Sequence, residues 1–342
     1  MCRRSASPGI DPVLDGILDS PMARELNFTE YRPGPDDQDK RLDKLLRRLL
    51  GEMPLSALYG HIRRGRIRVN GEKCHPDRRI AAGDRIEIDS KLSEGLGLPA
   101  GEPGSDNLDS LASMLILATE NLLFINKPAG ELVHGPGSVA ERVRAALGER
   151  ISASLSFSPG PLHRLDRNTS GLVVYSRSAL GARVFSEWMR ARKIRKLYLA
   201  LLRGRLKEEE LWVDRLERDA GKGISRVAQG PGGRRAVSRA LPLCASEAAT
   251  LALVEIETGL THQIRVQAAS RGFPLLGDVK YGGRAVPEGY LLHALSLAFP
   301  DRIFPDVPER VTAPLPSAAI GRLERLFAGL DLAFALDSAG RS

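Results

Sequence analysis

Pro161-Leu162-His163-Arg164-Leu165-Asp166-Arg167-Asn168-Thr169-Ser170-Gly171-Leu172-Val173-Val174-Tyr175 runs a tight polar turn straight into a short apolar strand. The first part has the residues that close turns, and Leu172 to Tyr175 has those that fill a buried strand. Outward from it, Leu122-Leu123-Phe124-Ile125 reads as a second buried strand leading into Asn126-Lys127-Pro128, and Ala179 to Arg192 as a helix. Leu197 to Leu202, Leu251 to Glu257 and Leu291 to Phe299 add strands, and Thr261 is placed to cap a helix running to about Arg271. Strands outnumber helices and their connections are irregular. The spacing therefore predicts an α+β fold with a mixed, largely antiparallel sheet, not a doubly wound parallel one.

The 342 residues are 42% hydrophobic and 27% charged, enough apolar material for more than one domain. Composition divides them into a polar tail at 1–39, a densely patterned segment at 40–89 and a Gly/Pro/Ser-rich linker at 90–113. A long mixed region follows at 114–330, then a C-terminal tail at 331–342. The N-terminus has no apolar core of a signal peptide, and no stretch approaches the roughly 18 apolar residues of a membrane span. Cys2, Cys74 and Cys244 lie far apart, so neither a disulfide framework nor a thiolate metal site is expected, and a reducing cytoplasm fits.

Fifty Lys+Arg against forty-two Asp+Glu leave a formal charge of +8, which suits a polyanionic partner, nucleic acid first. Leu42, Leu45, Leu46, Leu49 and Leu50 put one apolar stripe on a helix. A second helix is expected from Leu55 to Arg64, stopping at Gly65 before a hairpin that turns at Asn70-Gly71. Arg63, Arg64, Arg66, Arg68, Lys73, Arg78 and Arg79 gather around that helix end and hairpin, a density suited to phosphate contacts. A solvated basic face is the plainer alternative; the compact two-helix-plus-hairpin pattern favours RNA binding.

Several chemistries are excluded by spacing. Gly221-Lys222-Gly223 lacks the upstream Gly and the following Ser/Thr of a phosphate loop, and no GxGxxG follows a strand. The six histidines show no HxxxH or HExxH spacing, so no metal is expected, and Cys244 sits in an apolar run that suits inert packing. What remains is Asp166. Flanked by Arg164 and Arg167, its carboxylate is expected to stay ionised and to serve as an anionic nucleophile or a base. The alternative is a turn in which Asp166 accepts backbone hydrogen bonds while Thr169 and Ser170 cap it. Arg265, between Ile264 and Val266 in the helix after Thr261, points to a buried guanidinium in need of a partner, and Asp166 is a candidate. Tyr198, in the strand Arg195-Lys196-Leu197-Tyr198-Leu199-Ala200, is placed to pack against a planar base, though a tyrosine there is more often core.

These residues carry a family resemblance. HRLDRNTSGLVVYSRS (163–178) resembles the catalytic motif of pseudouridine synthases of the RluA/RluC type. NKPAGELVHG (126–135), RKLYLALLRG (195–204), ETGLTHQIRVQAASRGFPLLGDVKYGG (257–283) and LLHALSLAFP (291–300) resemble that family's other blocks in the same order. Residues 41–88 are similar to the alpha-L RNA-binding domain named after ribosomal protein S-four. The resemblance implies isomerisation of uridine to pseudouridine in RNA, most directly large-subunit ribosomal RNA, without cofactor or metal; a monomer is expected. By the same resemblance Asp166 attacks the ribose or takes a glycal-type route, Tyr198 lies against the uracil and helps to deprotonate C5, Arg265 pairs with Asp166, and Arg164 fills space in the RNA or holds a phosphate during extrusion of the nucleotide.

The chain departs from the family's commonest pattern at Leu260, where Arg is frequent, at Gln267, where His is frequent, and at Glu131, an added charge. Such departures bear on RNA contact and target choice more than on the reaction. A non-catalytic RNA-binding or ribosome-assembly factor is the second expectation. A hydrolase is disfavoured, because neither a second positioned carboxylate nor a metal constellation is visible.

Overall fold

A computed structural model describes residues 26–51, 53–93, 111–147, 155, 157–219, 221 and 223–340. The first 25 residues of the expected tail, residues 94–110 of the expected linker, Cys2, Lys222 and residues 341–342 lie outside this set. Among the described residues no helix is long and apolar enough to cross a membrane.

The N-terminal unit has four antiparallel strands in the order β1 (Phe28–Tyr31), β4 (Ile86–Asp89), β2 (Ile67–Val69), β3 (Glu72–Lys73). Helices α1 (Leu42–Leu49) and α2 (Leu55–Arg63) accompany it. The leucine stripe is buried as its spacing requires: Leu42, Leu45 and Leu46 pack with Leu58, Ile62, Ile67 and Ile88 in one core. Composition assigns residues 28–31 to the tail, and the structure corrects that boundary. The strand's backbone pairs with β4 from Phe28↔Asp89 to Tyr31↔Ile86, and the Arg68 guanidinium lies 4.7 Å from the Phe28 ring centre.

The second unit is a ten-stranded sheet, with strands numbered in chain order: β5 (Leu115–Ala118), β6 (Leu122–Lys127), β7 (Ser170–Ser176), β8 (Arg195–Arg203), β9 (Glu210–Asp219), β10 (Ile224–Val227), β11 (Arg234–Ala245), β12 (Ala249–Ile256), β13 (Leu292–Ala298) and β14 (Arg310–Thr312). Their spatial order is β10-β9-β11-β12-β8-β13-β7-β6-β5, with β14 on β13. Every pairing is antiparallel except β13 with β7. At that parallel seam the polar turn enters the sheet. Gly171 has φ +109°, and a Cβ there would lie 2.3 Å from the Ala294 carbonyl oxygen, so the close approach of β13 admits only glycine.

Two further boundaries change. Leu332–Gly340, expected as a tail, is helical, and Leu332 and Leu336 pack on the apolar cluster around Leu323 and Phe327. The helix expected to be capped by Thr261 runs from Gln263 to Ser270, with His262 as its first flanking residue. Among the described residues no side chain caps this helix; Gln263 instead closes the turn that leads into it. Its Oε1 accepts from the Leu260 N–H at 3.1 Å and from Thr258 Oγ1 at 2.8 Å, closing the turn from inside.

Candidate active site

The polar turn is tied down at both ends. Leu162 N–H donates to the Val174 carbonyl and Val174 N–H to His163 Nε2, folding the chain before Asp166 back onto β7. After it, Ser170 Oγ meets His293 Nδ1 at 2.9 Å while His293 Nε2 faces the Ala313 carbonyl at 3.1 Å, a buried link between β7, β13 and the chain beyond β14. Beneath the turn the Lys127 ammonium is fully buried and donates to the carbonyls of Pro128, Glu131 and Arg167 at 2.7, 2.9 and 3.0 Å. Burial pushes its pKa down to about 8, with the Asp166 charge pulling the other way.

Asp166 opens into a cleft whose larger part, about 380 Å³, is lined by His134, Arg164, Arg167, Arg218, Lys280 and Tyr290 among others. That is within the range of about 300–1,000 Å³ for small-molecule sites. A smaller recess beside Asp166 is walled by Leu165, Tyr198, Ile256, Leu260 and Leu292. A polar mouth over an apolar recess suits a nucleotide whose base goes inward.

Arg265 comes from the Gln263–Ser270 helix, 99 residues further along the chain. Its Nη1 donates to Asp166 Oδ2 at 3.1 Å, while Nε and Nη2 grip Asp278 as a fork at 2.7 and 2.9 Å. The guanidinium lies between the rings of Tyr281 and Tyr290, 4.9 and 4.7 Å from their centres. Burial opposes its charge, but the Asp278 hydrogen bonds, Tyr290 and the Asp278 and Asp166 charges together hold its pKa above the ordinary value.

Tyr198 on β8 borders the recess, its phenol held protonated by burial first and the Asp166 charge second. The structure thus brings Asp166, Tyr198, Arg265 and Arg164 to one cleft. Arg164 is exposed at the mouth, and Arg167 turns away to the Gly130 carbonyl, so the side-chain charge paired with Asp166 is that of Arg265 and not of its chain neighbours. Sequence reasoning missed Lys127, Asp278, His262, Tyr281 and Tyr290. Asp278 had a signal in the Gly277-Asp278 turn within the 257–283 block, but its partner was not legible.

Of the departures from the family pattern, Leu260 walls the recess, Glu131 is half-buried and only Gln267 lies in the interior. Gln267 is fully buried, donating to the Trp212 carbonyl and to Asp214 and accepting from Ser238 Oγ, which fastens the Arg265 helix to β9 and β11. Leu260 packs with Val266 and Tyr281, and Glu131 forms an ion pair with Arg142.

On the N-terminal unit Arg63, Arg64 and Lys73 are exposed. Arg66 and Arg68 are half-buried and engaged: Arg66 Nε donates to the buried Asp89 at 2.7 Å, and Arg68 to the Gly65 carbonyl. Arg79 pairs with Asp39 and Arg78 with Asp84, so part of the basic cluster serves its own fold.

Residues 121–270 match the family model described as RNA pseudouridylate synthase. The chain is 30% identical over 303 residues to ribosomal large subunit pseudouridine synthase C of Salmonella typhimurium, covering 83% of this chain and 92% of that protein. The chain belongs to the RNA pseudouridylate synthase family. The Escherichia coli K12 pseudouridine synthase of the same name is 31% identical over 257 residues, 73% of this chain and 78% of that one. In fold, the pseudouridylate synthase is similar to a solved structure of human RNA pseudouridylate synthase domain containing 4, with TM-score 0.54 and 21% identity over 64% of this chain and 95% of that chain.

Proposed function

We propose that this pseudouridylate synthase isomerises uridines of large-subunit ribosomal RNA and that Asp166 is the reacting carboxylate. The observation that carries the assignment is a cleft-facing Asp166 braced by a guanidinium that is itself locked to a buried carboxylate. The names of the relatives at about 30% identity support the ribosomal target.

A uracil stacked in RNA is out of reach, so the nucleotide is extruded at a cost of a few kcal/mol, which Arg164 and the basic mouth help to offset. Asp166 then either attacks the anomeric carbon as the C1′–N1 bond breaks, or removes the C2′ proton so that the uracil departs and leaves a glycal. The uracil turns within the recess and C5 bonds to C1′, displacing the Asp166 carboxylate or, from the glycal, as Asp166 returns its proton to C2′; the C5 proton passes to the freed carboxylate or to water, and N1 takes up a proton. The isomerisation consumes no oxidant or reductant. A retaining glycosidase needs a second carboxylic acid for its leaving group. Asp278 is 1% exposed and held by both arms of the Arg265 fork, so it is not free to act as that acid, and retention of the uracil removes the need. Tyr198 enters as a neutral phenol, suited to packing on the base and donating a hydrogen bond rather than to abstracting the C5 proton. The exposed Arg63, Arg64 and Lys73 of the front unit, read as an S-four-type module, contact phosphates.

RNA labelled with tritium at uridine C5 tests the reading. The wild type releases tritium in step with pseudouridine formation, and Asp166→Asn binds RNA without release. Normal release by that variant, or free uracil among the products, would overturn it. Comparing pseudouridine maps of ribosomal RNA from cells with and without the gene identifies the target.

A further inference from the structure

Among the described residues His262 is one of four non-glycine residues with left-handed backbone, at φ 59° and ψ 20°. Such a conformation is held against a cost of order 1 kcal/mol and is common where a side chain must be aimed. The aim here is specific. The imidazole packs edge-on against Tyr281, with Nδ1 2.6 Å from the Tyr281 hydroxyl, and Nε2 lies 3.7 Å from Asp166 Oδ2. The same hydroxyl accepts the backbone N–H of Ser225 on β10 at 3.0 Å. A phenol has one hydrogen. With Ser225 donating to its oxygen, the hydroxyl is oriented to give that hydrogen to Nδ1, an arrangement that favours the tautomer carrying hydrogen on Nε2, the nitrogen that faces the carboxylate.

We propose that His262 is a second positioning residue for Asp166, its tautomer set by Tyr281 and the β9–β10 hairpin. The inference rests on Asp166 being the reacting carboxylate. Among the described residues, both side-chain contacts of Asp166, from Arg265 and from His262, fall on Oδ2, which leaves Oδ1 for the sugar. At 3.7 Å the His262 contact is just beyond a hydrogen bond, and catalytic contacts of this kind tighten when substrate fills the site. Burial lowers the imidazole pKa; the Asp166 and Asp278 carboxylates oppose this, while Arg265 and Lys280 reinforce it. The ring is therefore a neutral donor of one hydrogen, for which tautomer choice matters. Tyr281 serves both donors at once, stacking on the Arg265 guanidinium with its face and steering His262 with its hydroxyl.

Single-turnover conversion of labelled RNA tests this, with RNA affinity and melting temperature measured on each variant. Tyr281→Phe keeps the ring under Arg265 and removes only the hydroxyl; the rate falls about tenfold at unchanged affinity. His262→Ala falls about a hundredfold, the scale of a slight misplacement of a reacting group. His262→Gln puts an amide nitrogen near the place of Nε2 and has no tautomer to choose, so it recovers about tenfold of the loss and is indifferent to adding Tyr281→Phe. General loss of stability does not produce that indifference. A Tyr281→Phe enzyme with wild-type rate, an equal effect of Tyr281→Phe in the His262→Gln background, or a loss confined to RNA affinity would each overturn the proposal. Asp166→Asn is assayed alongside: turnover there removes the parent reading, whereas its inactivity beside a normal Tyr281→Phe removes this inference alone.

Discussion

Arg265 reaches Asp166 with one nitrogen at 3.1 Å while committing its other two to Asp278 at 2.7 and 2.9 Å, so the carboxylate in the cleft is braced by a guanidinium that cannot swing away. The brace is directional. Asp278 holds the guanidinium plane, the two tyrosine rings hold its faces, and only Nη1 is left to point into the cleft.

Asp278→Asn leaves Arg265 buried with half its partner charge removed. Breaking one side of a buried pair costs about 3–5 kcal/mol, and the variant is expected to lose stability of that order and to slow conversion without weakening RNA binding. Urea denaturation together with single-turnover rates checks this. An Asn variant as stable as wild type would mean that Asp278 is dispensable to the brace.

Gly171→Ala puts a methyl group 2.3 Å from the Ala294 carbonyl at a backbone angle of φ +109°. Either β13 moves or the turn carrying Asp166 does. The expected loss is more than about 3 kcal/mol. A denaturation midpoint matching wild type would contradict the close parallel seam.

His163 accepts the Val174 N–H on Nε2 and stacks against Phe185, and burial, helped by Lys196, pushes its pKa down to about 4. Between about pH 4 and the unfolded value near 6.5 the unfolded chain binds the proton and the folded chain does not. Stability therefore rises with pH across that window and is lost as pH falls through it, by about 2 kcal/mol once the ring's partial exposure is allowed for. Replacing His163 with Gln should flatten the pH dependence of the melting temperature from pH 4 to 6.5; an unchanged slope would assign the acid sensitivity elsewhere.

Neutralising Arg63, Arg64 and Lys73 together should weaken RNA binding across sequences and reduce the salt slope by about 2, at about 0.7 per phosphate contact on single strands, with little change in stability. Arg66→Ala behaves differently, since it strands the buried Asp89 and costs folding free energy. Filter-binding titrations at several salt concentrations separate the two; identical slopes for the triple variant and wild type would remove this surface from RNA contact.

The leucine stripe of α1, the strands on either side of the polar turn and the antiparallel bias were legible because hydrophobic period and turn chemistry are properties of neighbouring residues. Phe28–Tyr31 and Leu332–Gly340 were not: an edge strand of four residues and a terminal helix owe their existence to the surface they land on. The candidate carboxylate stood out by its setting, Tyr198 by its strand and Arg265 by its apolar flanks.

Sequence by itself determined which elements form, in what order, and which ionisable side chains lie beside apolar runs. Tertiary structure decided which of those charges meet. Asp278 as the second partner of Arg265, Lys127 as the clamp beneath the turn and Tyr281 as the group behind His262 are separated along the chain by distances that carry no information about space, and only the pairing of β6 with β7 and the packing of the Gln263–Ser270 helix against the sheet bring them within hydrogen-bonding range.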